Sequence, residues 1–483
     1  MILENNIKVA LVNPPFLPMY SRGQRSPAVT RSGTLYYPMW LAYAAAHVRK
    51  CGAEPLLLDA VATDMNFKDA VTRLNEFKPD IALVEVATPS SKNDLNFAAK
   101  LKQICPRTLV FACGTHVSAL PRESLKSAPQ IDGAVIGEYE IPLEEMISAL
   151  KAKRSLQNLE GVCLKNGVPE LRSRFLESLD ERPYVAEIYN SFLPIEKYFN
   201  PNAHHPMVTI LTGRGCPYSC RYCVFPQTMT GHKYRKRSID SVIAEIEWVA
   251  HNMPHVKGIF MEDDTFTADK QRVREFCGRL ESLRLRLSWT ANARADVDYE
   301  TLIAMKKSNL RALCVGFESG NQKILDEMGK GITLSVMEKF AEDAVKAGVK
   351  VHGCFMVGLP GETRLSVQET LQFALRLPLD TAQFYPLMVY PGTYSFAWAK
   401  SHGMLTADDF RDWLSPEGLH QCVIRTEDLS SRQLVKFCNY ARRRFYLRKS
   451  YLLRQAGKFI TDADERTRLI KSAKIFLAHL FLD

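Results

Sequence analysis

The chain has 483 residues, too many for a single hydrophobic core, so two or three domains are expected. Hydrophobic residues make up 46% and charged ones 24%, the balance of a soluble globular protein, and no apolar run approaches the ~18 residues of a membrane span. The formal charge of +10 is concentrated at the end: residues 431–483 hold 13 Lys and Arg against 4 Asp and Glu, so a nucleic-acid groove across the body is not expected.

The opening stretch, MILENNIKVALVNPP, lacks the basic n-region of a secretory signal, and a cytoplasmic location is expected. Strand patterns at 9–12, 55–59, 81–86, 108–112 and 134–136 alternate with helical patterns at 39–51, 66–77, 94–104 and 142–152. That alternation predicts a parallel, doubly wound α/β sheet of Rossmann-like type over 1–152. Ligands of such sheets sit beyond the carboxyl ends of the strands. The stretches falling there are Asn13-Pro14-Pro15, Cys113-Gly114-Thr115-His116 and Gly137-Glu138-Tyr139-Glu140.

Residues 153–200 carry prolines and mixed charge with no sustained period and are expected to be an ordered linker. From 201 to 395 the strand–helix alternation returns six times, with strands predicted at 208–211, 258–261, 287–290, 312–316, 351–357 and 382–387. Residues 396–483 are predicted helical, basic and amphipathic. The last segment places Leu469, Ile470, Ala473, Phe476, Leu477 and Leu480 in one apolar stripe. Such a helix suits an anionic membrane surface and suits docking onto the barrel equally well.

Directly after the first strand of the second half lies TGRGCPYSCRYCVFP, which spaces Cys216, Cys220 and Cys223 as C-x3-C-x2-C. Iron–sulfur cubanes normally take four cysteines; a trio holds three irons and leaves the fourth open to a small molecule. A zinc knuckle would need a second Cys or His pair, and His232 is the sole nearby candidate. The other cysteines, among them Cys51, Cys105, Cys113, Cys277, Cys314 and Cys354, lie in apolar contexts and are expected as buried, reduced thiols.

The cysteine loop resembles that of the radical S-adenosylmethionine (SAM) superfamily, whose fold is a partial (β/α)6 barrel. The resemblance implies that Cys216, Cys220 and Cys223 ligate a [4Fe-4S] cluster and that Tyr222 sits beside the adenine. In that family SAM chelates the open iron, and an electron cleaves it to a 5′-deoxyadenosyl radical. As in complete barrels, the chemistry is expected at the carboxyl ends of the strands. After the second strand, Glu262-Asp263-Asp264 is costly at a barrel mouth unless it binds something. The resemblance gives Asp263 or Asp264 the SAM amino group, and the plain alternative is a solvated turn capping the next helix.

Arg294 is expected to meet the SAM carboxylate through its planar fork, or else to pair with one of the three acids. The element GFESG resembles one that binds the ribose hydroxyls through Glu318 or Ser319, and VGLPGET offers Gly358 and Gly361 for close approach to the adenine. His232, Lys233 and Arg235, near the cysteine loop, are candidates to grip an anionic or polyol substrate, or form an ordinary solvated loop.

The first domain resembles the cobalamin-binding domain that precedes this barrel in one large subfamily, on the segments CGTHVSALP and IGEYE. The D-x-H-x-x-G motif for a lower cobalt ligand is absent, so His116 is expected as a polar loop residue, and cobalamin is implied by the fold alone. The segments PQTMTGHKYRKRS, EDDTFT, YETL, GFESGNQKIL and VGLPGET look like the branch associated with hopanoid biosynthesis, including bacteriohopanetetrol cyclitol ether synthase-like enzymes. The expected function is SAM cleavage that generates a substrate carbon radical for C–C bond formation or rearrangement, on a lipid or other small molecule. A cobalamin-dependent methyltransferase acting on an unactivated carbon is the alternative. A methylthiotransferase fares worse, since no second cysteine trio is visible by spacing. A flavodoxin or ferredoxin is implied as electron donor.

Overall fold

The computed structural model describes residues 6–165 and 175–461; the apolar stripe from Leu469 to Leu480 lies outside them. The first sheet has the order β2-β1-β3-β4-β5-β6, built from β1 Lys8–Asn13, β2 Glu54–Asp59, β3 Ile81–Glu85, β4 Leu109–Cys113, β5 Gly133–Val135 and β6 Val162–Leu164. Val9, Leu11, Leu83 and Phe111 are buried on one face and Ala10, Val12, Val84 and Ala112 on the other. Near-continuous apolar runs are what a parallel sheet covered on both sides requires.

The flanking helices are α1 Met39–Lys50, α2 Phe67–Phe77, α3 Ser91–Ile104, α4 Thr115–Ala119, α5 Pro121–Ser127 and α6 Glu140–Lys151. Helix α2 starts with a capping box in which Asn66 and Asp69 exchange bonds, satisfying otherwise orphaned amides. Helix α1 is buried along nearly its whole length, because it lies between the first sheet and the barrel. Its Tyr43 hydroxyl accepts from the Leu211 N–H at 2.6 Å.

The stretch expected as a linker contributes structure of its own. β6 joins the first sheet antiparallel to β5, and α7 Val185–Phe192 packs near β7. Three strand residues are too few to register as a periodic pattern.

The second sheet has the order β14-β13-β12-β11-β10-β7, all pairs parallel: β7 Met207–Ile210, β10 Gly258–Met261, β11 Ser288–Arg294, β12 Leu310–Glu318, β13 Lys350–Val357 and β14 Thr381–Pro386. Strands follow one another in chain order, as in an open (β/α)6 barrel. A two-strand ribbon, β8 Gly213–Arg214 with β9 Arg235–Lys236, frames the cysteine loop. Helices α8 Ile239–Asn252, α9 Lys270–Ser282, α10 Tyr299–Lys307, α11 Gln322–Glu327, α12 Leu334–Lys346 and α13 Arg364–Arg376 connect the barrel strands.

Helix α14 Tyr394–Ser401 follows β14, and α15 Ser431–Tyr446 closes the β14 edge. There the Tyr446 hydroxyl bonds both the N–H and the C=O of Ala382, at 3.0 and 2.8 Å, which covers an otherwise open sheet edge. The chain continues into α16 Lys449–Thr461. Among the described residues no helix is long and apolar enough to cross a membrane.

Candidate functional site

The cysteine loop leaves the barrel between β8 and β9. Gly215 adopts φ +82, and a Cβ there would collide with the Lys233 carbonyl oxygen, so only glycine fits. The loop is pinned from several sides. Cys216 N–H donates to Gly231 O at 3.2 Å, Arg221 N–H to Met328 O at 3.0 Å and Ser395 N–H to Arg221 O at 3.2 Å. Gln227 Nε2 donates to Cys223 O at 2.7 Å.

Cys216, Cys220 and Cys223 are all free thiols. Burial pushes Cys223 up to about 12; Arg25 pulls it down, and Asp264, Cys220 and Cys216 push it up again. The three sulfurs therefore share one electrostatic neighbourhood. Three thiols on one short loop suit the corner ligands of a polynuclear cluster.

The three acids after β10 are built into the frame. Asp263 Oδ1 accepts from Thr212 N–H at 2.6 Å and Oδ2 from the Thr212 hydroxyl at 2.7 Å, while burial raises its carboxyl to about 6. Asp264 Oδ2 accepts from Gly215 N–H at 3.2 Å and the Thr230 hydroxyl at 2.8 Å. Glu262 Oε1 and Asp264 Oδ1 meet Arg25 of the first domain at 2.8 and 3.2 Å. The helix-capping role falls instead to Asp269, which accepts from Arg272 N–H at 3.0 Å.

At the neighbouring strand ends, Arg294 is the last residue of β11. Its guanidinium lies 3.7 Å from the Tyr218 ring centroid, a stacked cation, and Nη2 donates to Lys330 O at 2.6 Å. Lys330 Nζ bridges Glu318 Oε1 at 3.1 Å and the Tyr222 hydroxyl at 3.3 Å. Glu318 closes β12 at φ +69, and its carboxylate occupies the place where a Gly316 Cβ would stand; the glycine two residues earlier is thereby explained. Ser319 is fully buried, its hydroxyl 3.2 Å from that of Thr370 and accepting from Asn321 N–H at 3.2 Å.

Gly358 and Leu359 N–H both donate to Glu362 Oε2, at 2.6 and 3.1 Å, with Gly358 at φ +87 and Gly361 at φ +79. Along this rim Glu318 Oε2 and Glu362 Oε1 are buried without a hydrogen-bond partner, while Arg294 Nε lies 3.5 Å from Asp296 Oδ2 and so pairs with that acid, not with one of the three after β10. An unmatched group of that sort costs about 1–3 kcal/mol and calls for an explanation such as a ligand. Glu318 Oε2, held beside Tyr222 by Lys330, is an open acceptor that fits the ammonium or a hydroxyl group of SAM.

The three candidates of the basic loop part company. His232 Nδ1 lies 3.2 Å from both the Cys216 and Tyr218 carbonyl oxygens, so it stays with the cysteine loop. Lys233 is exposed and pairs with Glu177 at 2.7 Å. Arg235 is buried and grips Glu138 with both ends of its fork, at 2.9 and 2.6 Å. Arg214 joins it, 3.4 Å from Glu138 and 2.6 Å from Glu140. The GEYE segment thus supplies its acids to the barrel's arginines across the domain junction.

At the carboxyl edge of the first sheet, Arg22 forms a wholly buried pair with Asp94 at 2.8 Å and donates to Asn13 Oδ1 at 2.7 Å. Gly114, at φ +111, passes so close to Val86 that a Cβ would stand 2.5 Å from its carbonyl oxygen. Glu85, Val86, Gly114, Tyr139 and Met229 border a small gap of about 10 Å³. Within it Glu85 Oε2 is buried and unpartnered, and burial pushes Glu85 up to about 8. His116 is not the polar loop residue expected: it is buried on α4, with Nδ1 3.2 Å from the Thr88 hydroxyl and its ring edge-on to Phe410. Burial lowers it to about 4, so the ring is neutral. An orphaned carboxyl beside a glycine pinch fits a polar ligand group at this edge, and the gap itself has room for no more than about one water, far too little for a corrin.

The profile of the radical SAM superfamily matches residues 210–374, and that of the B12 binding domain matches residues 25–147. An uncharacterized methyltransferase of Pyrococcus horikoshii is 31% identical over 456 residues, covering 93% of this chain and 94% of that protein. The chain belongs to the radical SAM superfamily. The anaerobic magnesium-protoporphyrin IX monomethyl ester cyclase of Rubrivivax gelatinosus is 24% identical, covering 91% of this chain and 78% of its own.

The radical SAM methyltransferase TsrM from Kitasatospora setae, solved with cobalamin and a [4Fe-4S] cluster bound, matches with a TM-score of 0.69 at 16% identity. That match covers 98% of this chain and 100% of TsrM, and it shows a shared fold. The chain is therefore a radical SAM enzyme with a B12 binding domain ahead of its barrel, and the family's cofactors are a [4Fe-4S] cluster and SAM.

Sequence reasoning passed over Arg25 and Lys330. Lys330 stands between Gly329 at φ +66 and Gly331 at φ +61, and that glycine bracket in M-G-K-G was the available signal. Arg25 gave none, since its partners lie more than 200 residues away.

Proposed function

We propose that this radical SAM enzyme is a cobalamin-dependent methyltransferase acting on an unactivated carbon of a small molecule. The observation that carries the reading is the seating of the first domain's edge against the cysteine loop. Helix α4 packs on the turn Pro226–Thr230 that follows the cysteines, with Ser118 Oγ 3.7 Å from Met229 Sδ. A ligand held at that edge would lie beside the segment that follows the thiols, and transfer between two bound groups requires such proximity.

Cys216, Cys220 and Cys223 would hold the cluster. Tyr222, Glu318, Ser319, Gly358 and Gly361 would receive the nucleoside, Arg294 the carboxylate, and Asp263 and Asp264 would shape the pocket for the amino group. When bound, the cluster and SAM supply one-electron chemistry at carbon and cobalamin supplies a transferable methyl group. The chain's own part is positioning. Arg25 keeps a positive charge beside Cys223, and Lys330 fixes Glu318 against Tyr222. Tyr36, Tyr385, Cys314 and Cys354 share the barrel interior with Glu262 and Glu318, where a substrate would be kept from water.

A reduced flavodoxin or ferredoxin would deliver the electron. The basic end of the chain, 431–483, would rest on an anionic membrane surface, which suits a lipid substrate. Ring formation or rearrangement on a hopanoid-type polyol is the second reading, favoured by the loop segments and by the cyclase among the relatives.

The test is corrinoid retention. Cluster-loaded protein is incubated anaerobically with hydroxocobalamin, desalted and its visible spectrum recorded. About one corrinoid per chain is expected. A corrinoid-free spectrum defeats methyl transfer and leaves SAM cleavage standing. Given a substrate, S-adenosylhomocysteine formed alongside 5′-deoxyadenosine marks methyl transfer, and 5′-deoxyadenosine alone marks rearrangement.

A further inference from the structure

Away from the cysteine loop, on the far end of α1, a second set of ligating groups converges. His47 and Cys51 are four residues apart, so one face of the helix end presents both. Glu144 comes from α6, which packs against α1. One ligand atom from each lies within 4.8 Å of the others, and His47 Nε2 is 2.9 Å from Glu144 Oε2. His47 is buried and its Nδ1 has no hydrogen-bond partner. A cavity of about 490 Å³, bordered by Cys51, Glu144, Ser148 and Lys151, opens beside the group. The contacts described for the thiol loop, the barrel mouth and the domain junction involve none of these three side chains.

We propose that His47, Cys51 and Glu144 form a binding site for a borderline divalent transition-metal ion, zinc foremost, independent of the iron–sulfur cluster. Imidazole, thiolate and carboxylate are the three donor types zinc takes together. Water from the adjoining cavity completes the tetrahedron. Binding forms a metal–sulfur bond and releases the Cys51 thiol proton to solvent. Of the two lysines beside Cys51, Lys151 has its ammonium on the Cys51 and Gly52 carbonyl oxygens, at 2.9 and 3.1 Å, and Lys50 pairs with Glu181 at 3.3 Å.

The consequence is structural. Helix α1 presses Trp40 against Phe225 next to the cysteine loop, and α6 begins at Glu140, which holds Arg214. An ion between the C-terminal end of α1 and the second turn of α6 ties together the two helices that carry the domain junction.

The test uses the full chain with its cluster reconstituted, so that the cluster cysteines are occupied, and stripped of loose metal by a chelating resin. Zinc is titrated calorimetrically and retained zinc is measured by elemental analysis. Wild type and the control Cys105→Ala are expected to bind about one equivalent. Glu144→Gln and Cys51→Ser are expected to weaken binding by more than about 10-fold, the loss that even outer-sphere changes produce. Glu144 is exposed, so Glu144→Gln keeps the fold and decides the matter should Cys51→Ser misfold. Cobalt added to the chain with all three cluster cysteines replaced by alanine is expected to give a thiolate charge-transfer band, absent when Cys51→Ser is added. Absence of zinc binding by wild type, or binding that both variants retain unchanged, overturns the proposal.

Discussion

Arg25 reaches from the first domain to Glu262 at the barrel mouth, its Nη1 2.8 Å from Oε1. The same guanidinium stacks over Phe225, 4.9 Å from the ring centroid, and lies close enough to Cys223 to lower its pKa. One side chain thus ties the domain junction to the thiol loop. Arg25→Ala leaves the buried Glu262 and Asp264 carboxylates without this partner, a loss of about 1–3 kcal/mol. A lower urea midpoint is expected, with slower cluster reconstitution followed by iron content; an unchanged midpoint would place the pair among those that contribute nothing.

The Glu138–Arg235 pair is fully buried and two-pronged. Glu138→Gln strands Arg235 and part of Arg214, and breaking a buried pair from one side costs about 3–5 kcal/mol. Lys233→Ala removes an exposed pair and is expected to change stability by less than about 0.5 kcal/mol. Denaturation of the two variants side by side checks the contrast.

Gly316→Ala puts a methyl where the Glu318 carboxylate lies and must push it off Lys330. If Glu318 receives the nucleoside, SAM binding to cluster-loaded protein, followed by equilibrium dialysis, weakens by about 10-fold, or ~1.4 kcal/mol. Gly278→Ala, whose Cβ meets nothing within 4 Å, is the control and binds SAM as wild type does.

Burial pushes Glu85 and Glu362 up to about 8 from the usual 4.5. The folded chain then keeps two protons that the unfolded chain has already lost. Their contribution to stability is complete below the unfolded pKa and disappears as pH rises through about 8. Each group adds a downward slope of up to about 1.4 kcal/mol per pH unit in that window. The double variant Glu85→Gln, Glu362→Gln is expected to flatten the stability–pH curve there; a curve parallel to wild type contradicts the protonation.

The barrel was legible because its strands are apolar runs separated by amphipathic helices, and β10 falls where its four-residue apolar run lies. The cysteine trio was legible because its ligands are neighbours in sequence. Partnership at long range was not. Arg235 reads as a free cation in K-Y-R-K-R, yet its carboxylate partner lies 97 residues away. Cys51 reads as a core thiol but is only partly buried, since the helix that faces it is α6, 93 residues on in the case of Glu144. His116 lost its loop character because Phe410, far down the chain, covers it.

The central claim is that three thiols hold a cubane whose fourth iron takes SAM. Its most direct test is the EPR spectrum of anaerobically reconstituted, dithionite-reduced protein recorded with and without SAM. The account expects a [4Fe-4S]⁺ signal that shifts on adding SAM and that disappears when Cys216, Cys220 and Cys223 are replaced by alanine. A signal indifferent to SAM, or one that survives the replacement, would contradict it.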